Sequence, residues 1–224
     1  DPSLYAALSL ADQLAKAGIR VGPGVRAGRT PLDTPVLARH RSEELADIVK
    51  RTLKNSNNVK AEMLLMAAGA RRFGPPATFR KGRHALEAVM SELGVEPGRY
   101  LLENGSGLSR RSRIRPADMV SVLLALHRNR ALGDDVLSAL PLAGFEGTLK
   151  RRFSNSPAAG LLRAKTGTLN GVSCLSGFIG RGTRQTFFSL MSWGVRRFGP
   201  MYRAQVALGE TLARTARRVP DRPA

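Results

Sequence analysis

Two short polar motifs contain residue types that could carry out acyl transfer. Ser56-Asn57-Asn58 lies between two stretches of helical periodicity, and Lys165-Thr166-Gly167-Thr168 lies in the mostly apolar stretch 161–180. A charged ammonium in such a stretch is costly unless a partner or a function requires it. A hydroxyl that can relay a proton, an amine close to a serine and further hydroxyls that can bind a carboxylate are the groups that acyl transfer uses.

Each motif taken alone also has a purely structural explanation. Ser-Asn-Asn is a common composition for loops and helix N-caps, and Lys-Thr-Gly could be an edge strand whose lysine faces solvent. Together, however, they resemble the second and third motifs of the penicillin-interacting serine enzymes, Ser-x-x-Lys, Ser-x-Asn and Lys-Thr-Gly. The combination therefore favours a cleft between a helical part and a strand.

Four ordered blocks make the resemblance more specific, and they extend over nearly the full chain. The sequence resembles the S13 peptidase family, the class C low-molecular-mass penicillin-binding proteins. The family's KKSDNMIAD, DGSGLSR, LPLAGxxGTL and AKTGxLxGVxxLAGFI segments resemble, in this order, residues 53–63, Asn104–Arg110, Leu140–Leu149 and Ala164–Ile179.

The resemblance implies a serine D-alanyl-D-alanine carboxypeptidase and endopeptidase that acts on peptidoglycan outside the cytoplasm. Its substrate would be a stem peptide ending in D-Ala-D-Ala, β-lactams would be covalent inhibitors, and no cofactor would be needed. Ser56, Asn58 and Lys165 would be catalytic. The implied substrate-binding residues are Thr166, Gly167, Thr168, Asn104 and Ser106.

Two departures from the family pattern affect this prediction. Asn104 stands where the family has aspartate, and no serine of the 224 residues is followed three positions later by lysine. The nucleophile motif is therefore absent from this sequence, which also begins at Asp1 rather than Met. We expect the chain to be the C-terminal portion of a longer enzyme whose N-terminal segment carries Ser-x-x-Lys.

The elements predicted around the motifs follow an α+β order, with helices first, then an antiparallel meander and a last helix. This order agrees with a penicillin-binding transpeptidase or β-lactamase-like fold. We expect the end of an inserted region and a connector back to the transpeptidase domain over 1–34, with strand in residues 19–34. A helical subdomain with Ser-x-Asn is expected over 35–145, and a sheet with Lys-Thr-Gly and the C-terminal helix over 146–224. Ser42 is predicted to cap the first helix of the subdomain, and residues 181–184 are predicted to form a hairpin turn.

Charge and the remaining residue types leave alternatives open. The net charge of +19 could attract an anionic wall polymer or membrane surface, so a catalytically inactive wall-binding scaffold is the main alternative. A β-lactamase shares the motifs. A nucleic-acid-binding protein is disfavoured because no recognition motif accompanies the charge. His40, His84 and His127 are far apart and Cys174 is the only cysteine, so neither a metal site nor an internal disulfide is predicted.

Overall fold

The computed structural model describes residues 1–22, 24–29, 31–182 and 184–218, which fall into two units, Asp1–Ser42 and the residues from Glu43 onward. The first unit contains helix α1 (Pro2–Lys16), which begins where the Asp1 carboxylate accepts hydrogen bonds from the backbone N–H groups of Ser3 and Leu4. No strand occurs among the described residues that follow α1 in this unit. The strand expected in the connector is therefore wrong for the described residues, because none of them pairs with another segment.

The second unit follows the predicted α+β order. Its helices come first, and a three-stranded antiparallel sheet and a long helix follow. The elements are α2 (Leu45–Asn55), α3 (Asn58–Phe73), α4 (Phe79–Glu92), β1 (Tyr100–Leu101), β2 (Arg113–Ile114), α5 (Pro116–Arg128), α6 (Arg130–Ser138), a short 3-10 helix (Gly147–Leu149), β3 (Leu162–Leu169), β4 (Val172–Arg181), β5 (Arg184–Trp193) and α7 (Phe198–Arg218). The three-part division with boundaries at 34 and 145 stays a prediction.

The helix starts show where local sequence signals succeed. Thr78 caps α4 by accepting a hydrogen bond from Lys81 N, as its residue type predicts. Asn57 caps α3 in the same way, accepting from Lys60 N at 2.9 Å. The predicted cap at Ser42 is wrong, because α2 has Glu44 at its N-cap position without a side-chain cap hydrogen bond.

The sheet has the strand order β3-β4-β5, and its two faces pack against different helices. One face contributes Leu162, Ala164, Leu175 and Ile179 to a core shared with α7. The other contributes Phe178 and Phe187 to a core with Leu123 of α5 and Leu137 of α6. Because successive side chains of a strand point to opposite faces, Lys165, next to Ala164, lies on the helical-subdomain side. Of the predicted 181–184 turn, Thr183 lies outside the described residues.

Strand β3 forms an edge of this sheet. At its start, Ala164 N donates to Pro141 O at 3.1 Å, and Ala143 N donates to Leu162 O at 2.9 Å. Beyond Ala164, no described strand pairs with the outer side of β3. Because alternate residues of a strand point their backbone groups the same way, the N–H groups of Thr166 and Thr168 face this open side.

Candidate active site

Ser56 lies in the tight turn that joins α2 to α3. It ends α2 with φ 51° and ψ 50°, a left-handed conformation, and its N–H donates to Thr52 O. Among the described residues it is the only non-glycine residue with a positive φ. A non-glycine residue in this region is strained, and such strain is concentrated at functional sites. The turn therefore fixes the backbone of Ser56 at the junction of α2 and α3.

The structure brings the two sequence motifs into direct contact. Lys165 Nζ donates a hydrogen bond to Ser56 Oγ at 2.8 Å, although 109 positions separate the residues. The same Nζ donates to Thr166 O at 2.7 Å. The cost of placing an ammonium on an apolar strand is thus offset by two hydrogen bonds, and the partner is the serine of the other motif.

Burial lowers the pKa of Lys165 below the ordinary value for a lysine, because desolvation disfavours the charged form. An amine whose pKa lies closer to neutrality can exchange a proton with a neighbouring hydroxyl more readily than an exposed lysine can. The contact with Ser56 therefore joins a hydroxyl to an amine suited to proton exchange.

The lowered pKa predicts a pH-dependent stability difference between the protein and its Lys165→Met variant. Between the folded and the unfolded pKa of Lys165, the unfolded chain binds more protons, so the free energy of unfolding conferred by this residue rises with pH. We expect the wild type to gain stability relative to Lys165→Met as pH rises from 7 toward the ordinary lysine pKa of about 10.4. Urea unfolding of both proteins at several pH values measures this difference. A difference that stays constant with pH would contradict the shift.

The rest of the Lys-Thr-Gly-Thr motif lines the open edge of β3. Thr166 Oγ1 donates to Thr148 Oγ1 at 2.9 Å, which ties the strand to the short 3-10 helix. Thr168 is exposed. A Cβ at Gly167 would lie 3.3 Å from Cys174 Cβ, so a larger side chain would crowd the neighbouring strand. The motif therefore leaves an accessible backbone edge beside Lys165.

A charged cluster missed by the sequence analysis lies next to the Ser56–Lys165 pair. Glu146 Oε2 accepts hydrogen bonds from Lys54 Nζ, from Arg163 Nη1 at 3.0 Å and from Leu142 N at 3.2 Å. Burial acts to raise the pKa of Glu146, but Lys54 and Arg163 outweigh it and hold that pKa below its ordinary value. No signal in the sequence indicated this cluster, because Glu146 stands at an unspecified position of the LPLAGxxGTL segment.

The remaining predicted site residues have different surroundings. Asn58 is exposed at the first position of α3, two residues after Ser56. Asn104 Nδ2 donates to Ser106 Oγ at 3.2 Å, and Ser106 Oγ in turn donates to Glu62 of α3. The contacts recorded for Asn104 and Ser106 thus lead to α3 rather than to Ser56 or Lys165.

Glu62 holds the 104–107 turn through its carboxylate, which also accepts hydrogen bonds from the backbone N–H groups of Gly105 and Ser106. Burial acts to raise the pKa of Glu62, but the hydrogen bonds from the Ser106 hydroxyl and the two backbone N–H groups lower it overall. A Cβ at Gly105 would lie 2.4 Å from Ala61 O. The turn therefore packs tightly against α3, and its glycine is required by this close approach.

Within the described ranges there is no group of three or more His, Cys, Asp or Glu residues that could hold a metal ion. Likewise, none of the helices described above is both long and apolar enough to cross a bilayer.

Comparison with known proteins relates this geometry to a family. The sequence profile of the D-Ala-D-Ala carboxypeptidase 3 (S13) family matches residues 1–208. The D-alanyl-D-alanine carboxypeptidase DacB of Haemophilus influenzae is 32% identical over 192 residues, which are 84% of this chain and 40% of the relative. The D-alanyl-D-alanine carboxypeptidase of Actinomadura sp. (strain R39) is 35% identical over 202 residues, 87% of this chain and 37% of the relative.

A solved structure extends the similarity to the fold. Penicillin binding protein 4 (dacB) from Haemophilus influenzae, crystallised with a novel β-lactam, matches with a TM-score of 0.81 and 30% identity, over 93% of this chain and 51% of that one. The chain spans about two fifths of the length of the two relatives. The fold is thus that of a penicillin-binding protein, as predicted. The chain belongs to the D-Ala-D-Ala carboxypeptidase 3 (S13) family.

Proposed function

We propose that the protein is a serine D-alanyl-D-alanine carboxypeptidase and endopeptidase that works through an acyl-enzyme. The observation that carries this proposal is the hydrogen bond of 2.8 Å between Lys165 Nζ and Ser56 Oγ. It joins the Ser-x-Asn and Lys-Thr-Gly motifs at one point, so that a hydroxyl and an amine lie together as acyl transfer requires. The acylated serine would be supplied by a Ser-x-x-Lys segment outside the 224 residues.

Each motif residue has a distinct role in this proposal. Ser56 relays a proton to the leaving amine, and Lys165 exchanges that proton and attracts the terminal carboxylate of the peptide. Asn58, exposed two residues after Ser56, holds the substrate amide. Thr166 and Thr168 offer hydroxyls to the substrate carboxylate, for which Thr166 would exchange its hydrogen bond to Thr148. Asn104 and Ser106, which are bonded to each other, would bind substrate from the cleft wall.

The open edge of β3 would hold the peptide backbone. An extended peptide can add to an unpaired strand edge through main-chain hydrogen bonds. The outward N–H groups of Thr166 and Thr168 are the donors available for this pairing, and Gly167 has no side chain to obstruct it. The D-Ala-D-Ala end of a peptidoglycan stem peptide would lie along this edge, with its carboxylate near Lys165.

The same arrangement would bind β-lactams as covalent inhibitors, because their carboxylate and strained amide resemble the ends of the peptide. The H. influenzae structure, crystallised with a β-lactam, supports this for the family. Since peptidoglycan lies outside the cytoplasm, we propose that the protein acts there, and its net charge of +19 would favour an anionic wall or membrane surface.

Intact mass spectrometry of the full-length protein, before and after benzylpenicillin, tests the proposal. We expect a single penicillin adduct, which disappears when the serine of the proposed Ser-x-x-Lys segment is replaced by alanine. Release of D-alanine from a pentapeptide would identify the carboxypeptidase activity, and cleavage of cross-linked dimers would identify the endopeptidase activity. A folded full-length protein that gains no adduct would contradict the enzyme and favour the wall-binding scaffold.

A further inference from the structure

The segment that precedes β3 connects the two halves of the proposed site. This segment, residues 142–149, includes Glu146 and the short 3-10 helix. We infer that Glu146 is a positioning residue that sets the alignment of Ser56 with Lys165. This role rests on the proposed function, and it concerns a residue that touches neither the substrate nor the reacting atoms.

Glu146 contacts one residue near each motif, and in both cases that residue lies two positions before the first residue of the motif. Lys54, whose Nζ donates to Glu146 Oε2, lies two residues before Ser56 at the end of α2. Arg163, whose Nη1 donates to the same oxygen at 3.0 Å, lies two residues before Lys165 on β3. One carboxylate oxygen therefore joins the helix that presents the hydroxyl to the strand that presents the amine.

Backbone packing at the neighbouring residues supports the same connection. Gly147 has φ +50°, and a Cβ placed there would lie 2.2 Å from Lys54 O. Thr148 accepts a hydrogen bond from Thr166 at 2.9 Å. The segment therefore contacts α2 through Gly147 and β3 through Thr148, so the two residues that follow Glu146 join the same two elements.

Besides aligning the two elements, the charge of Glu146 affects the protonation of Lys165. Lys54 and Arg163 are cations that share this one carboxylate, and Lys165 is a third cation on the same face of β3 as Arg163. The lowered pKa of Glu146 means that it stays ionised at neutral pH. A neutral side chain at this position would leave Lys54 and Arg163 uncompensated and would make the protonated form of Lys165 less favourable.

Other titratable groups lie on the strands that share this face of the sheet and on the elements that carry the Glu146 contacts or pack on that face. They are Lys54 from α2, Glu146 from the 142–149 segment, Arg163 from β3, Cys174 from β4, and His127 from α5, whose ring lies 5.1 Å from that of Phe187 on β5. Burial raises the pKa of the Cys174 thiol, so it stays neutral at physiological pH. Glu146 is the only carboxylate of this set.

The test measures acylation of the full-length protein by a fluorescent penicillin across pH in Glu146→Gln. We expect the rate to fall about tenfold, which corresponds to the loss of one charge-assisted hydrogen bond. We also expect the alkaline limb of the pH profile to move to lower pH, because the uncompensated cations favour deprotonation of Lys165. Glu146→Asp, which keeps the carboxylate, should recover most of the rate and the original limb.

Asp118→Asn is the matched control. Asp118 is a buried carboxylate that also joins two cations, with Arg99 Nη2 at 2.9 Å and Arg115 Nε at 2.7 Å, but it lies at the start of α5. We expect a loss of thermal stability at least as large as that of Glu146→Gln, with the acylation rate within about twofold of wild type and an unchanged limb. A purely structural role for Glu146 predicts the same pattern in both variants.

The double variant Lys54→Met/Glu146→Gln separates charge from alignment. Because one cation is removed with the carboxylate, we expect the alkaline limb to return toward its wild-type position while the rate stays low. If Glu146→Gln matches wild type in both rate and limb while Lys165→Ala is impaired, the inference about Glu146 is wrong and the proposed function stands. If Lys165→Ala also acylates normally, the proposed site itself is wrong.

Discussion

Replacing Lys165 with alanine in the full-length protein is expected to lower the rate of acylation by benzylpenicillin by about a thousandfold. The variant removes the amine that is hydrogen-bonded to Ser56 at 2.8 Å, and with it both proton exchange and attraction of the substrate carboxylate. Stopped-flow measurement of the second-order acylation constant gives the result. Stability should not fall, since a half-buried cation with a lowered pKa is lost.

Two further variants show which property of Lys165 accounts for the loss of acylation rate. Lys50→Ala removes an exposed lysine of α2 and should leave the rate unchanged. Lys165→Arg keeps a positive charge that does not deprotonate in proteins, so it should retain carboxylate attraction and lose proton exchange. A rate for Lys165→Arg equal to wild type would limit the residue to charge attraction. A rate for Lys165→Ala equal to that of Lys50→Ala would contradict the site.

Replacing Ser56 with glycine is expected to change activity and stability in opposite directions. The hydroxyl that accepts from Lys165 is lost, so the acylation rate should fall about a hundredfold. The backbone at this position is left-handed, with φ 51°, and glycine adopts it without strain. The free energy of unfolding should therefore be unchanged or rise by about 1 kcal/mol. Denaturant unfolding and acylation kinetics of the same preparation measure both effects.

Ser56→Ala is the control for this pair of effects. Alanine also lacks the hydroxyl, so its acylation rate should match that of Ser56→Gly, but its Cβ keeps the backbone strain. The stability difference between the two variants then isolates the cost of the left-handed turn. Equal stabilities would show that the turn carries no strain, and a normal acylation rate in both variants would exclude Ser56 from proton transfer.

Local chemistry and pattern were sufficient to predict most elements of the second unit. The strands β3, β4 and β5 correspond to the three predicted strands, which short turns at Gly171 and at residues 181–184 were expected to join. Thr78 and Pro116 begin α4 and α5 as their residue types predict. These signals succeed because capping, fixed φ and strand periodicity act within a few residues. The fold class was correct because the order of the elements followed from the same signals.

The contacts that build the site were beyond local signals. Glu146 bonds to Lys54, and the two residues are 92 positions apart. Nothing in the sequence near either residue states this pairing, since it depends on how α2 packs against the short 3-10 helix. Ser42 does not cap α2, because that helix begins at Leu45 and has Glu44 at its N-cap position. The two motifs were recognisable because their chemistry is specific, whereas their supporting residues are common types.

The open edge of β3 has a consequence for self-association. An unpaired strand edge can join the sheet of a second molecule and lead to aggregation. Here only Thr166 and Thr168 offer outward backbone groups beyond Ala164, and Lys165 Nζ already occupies the carbonyl of Thr166. Arg110 donates to Asn170 O at 3.1 Å, just past the strand end. The edge is thus long enough to pair with a short peptide but too short and too charged to join another sheet.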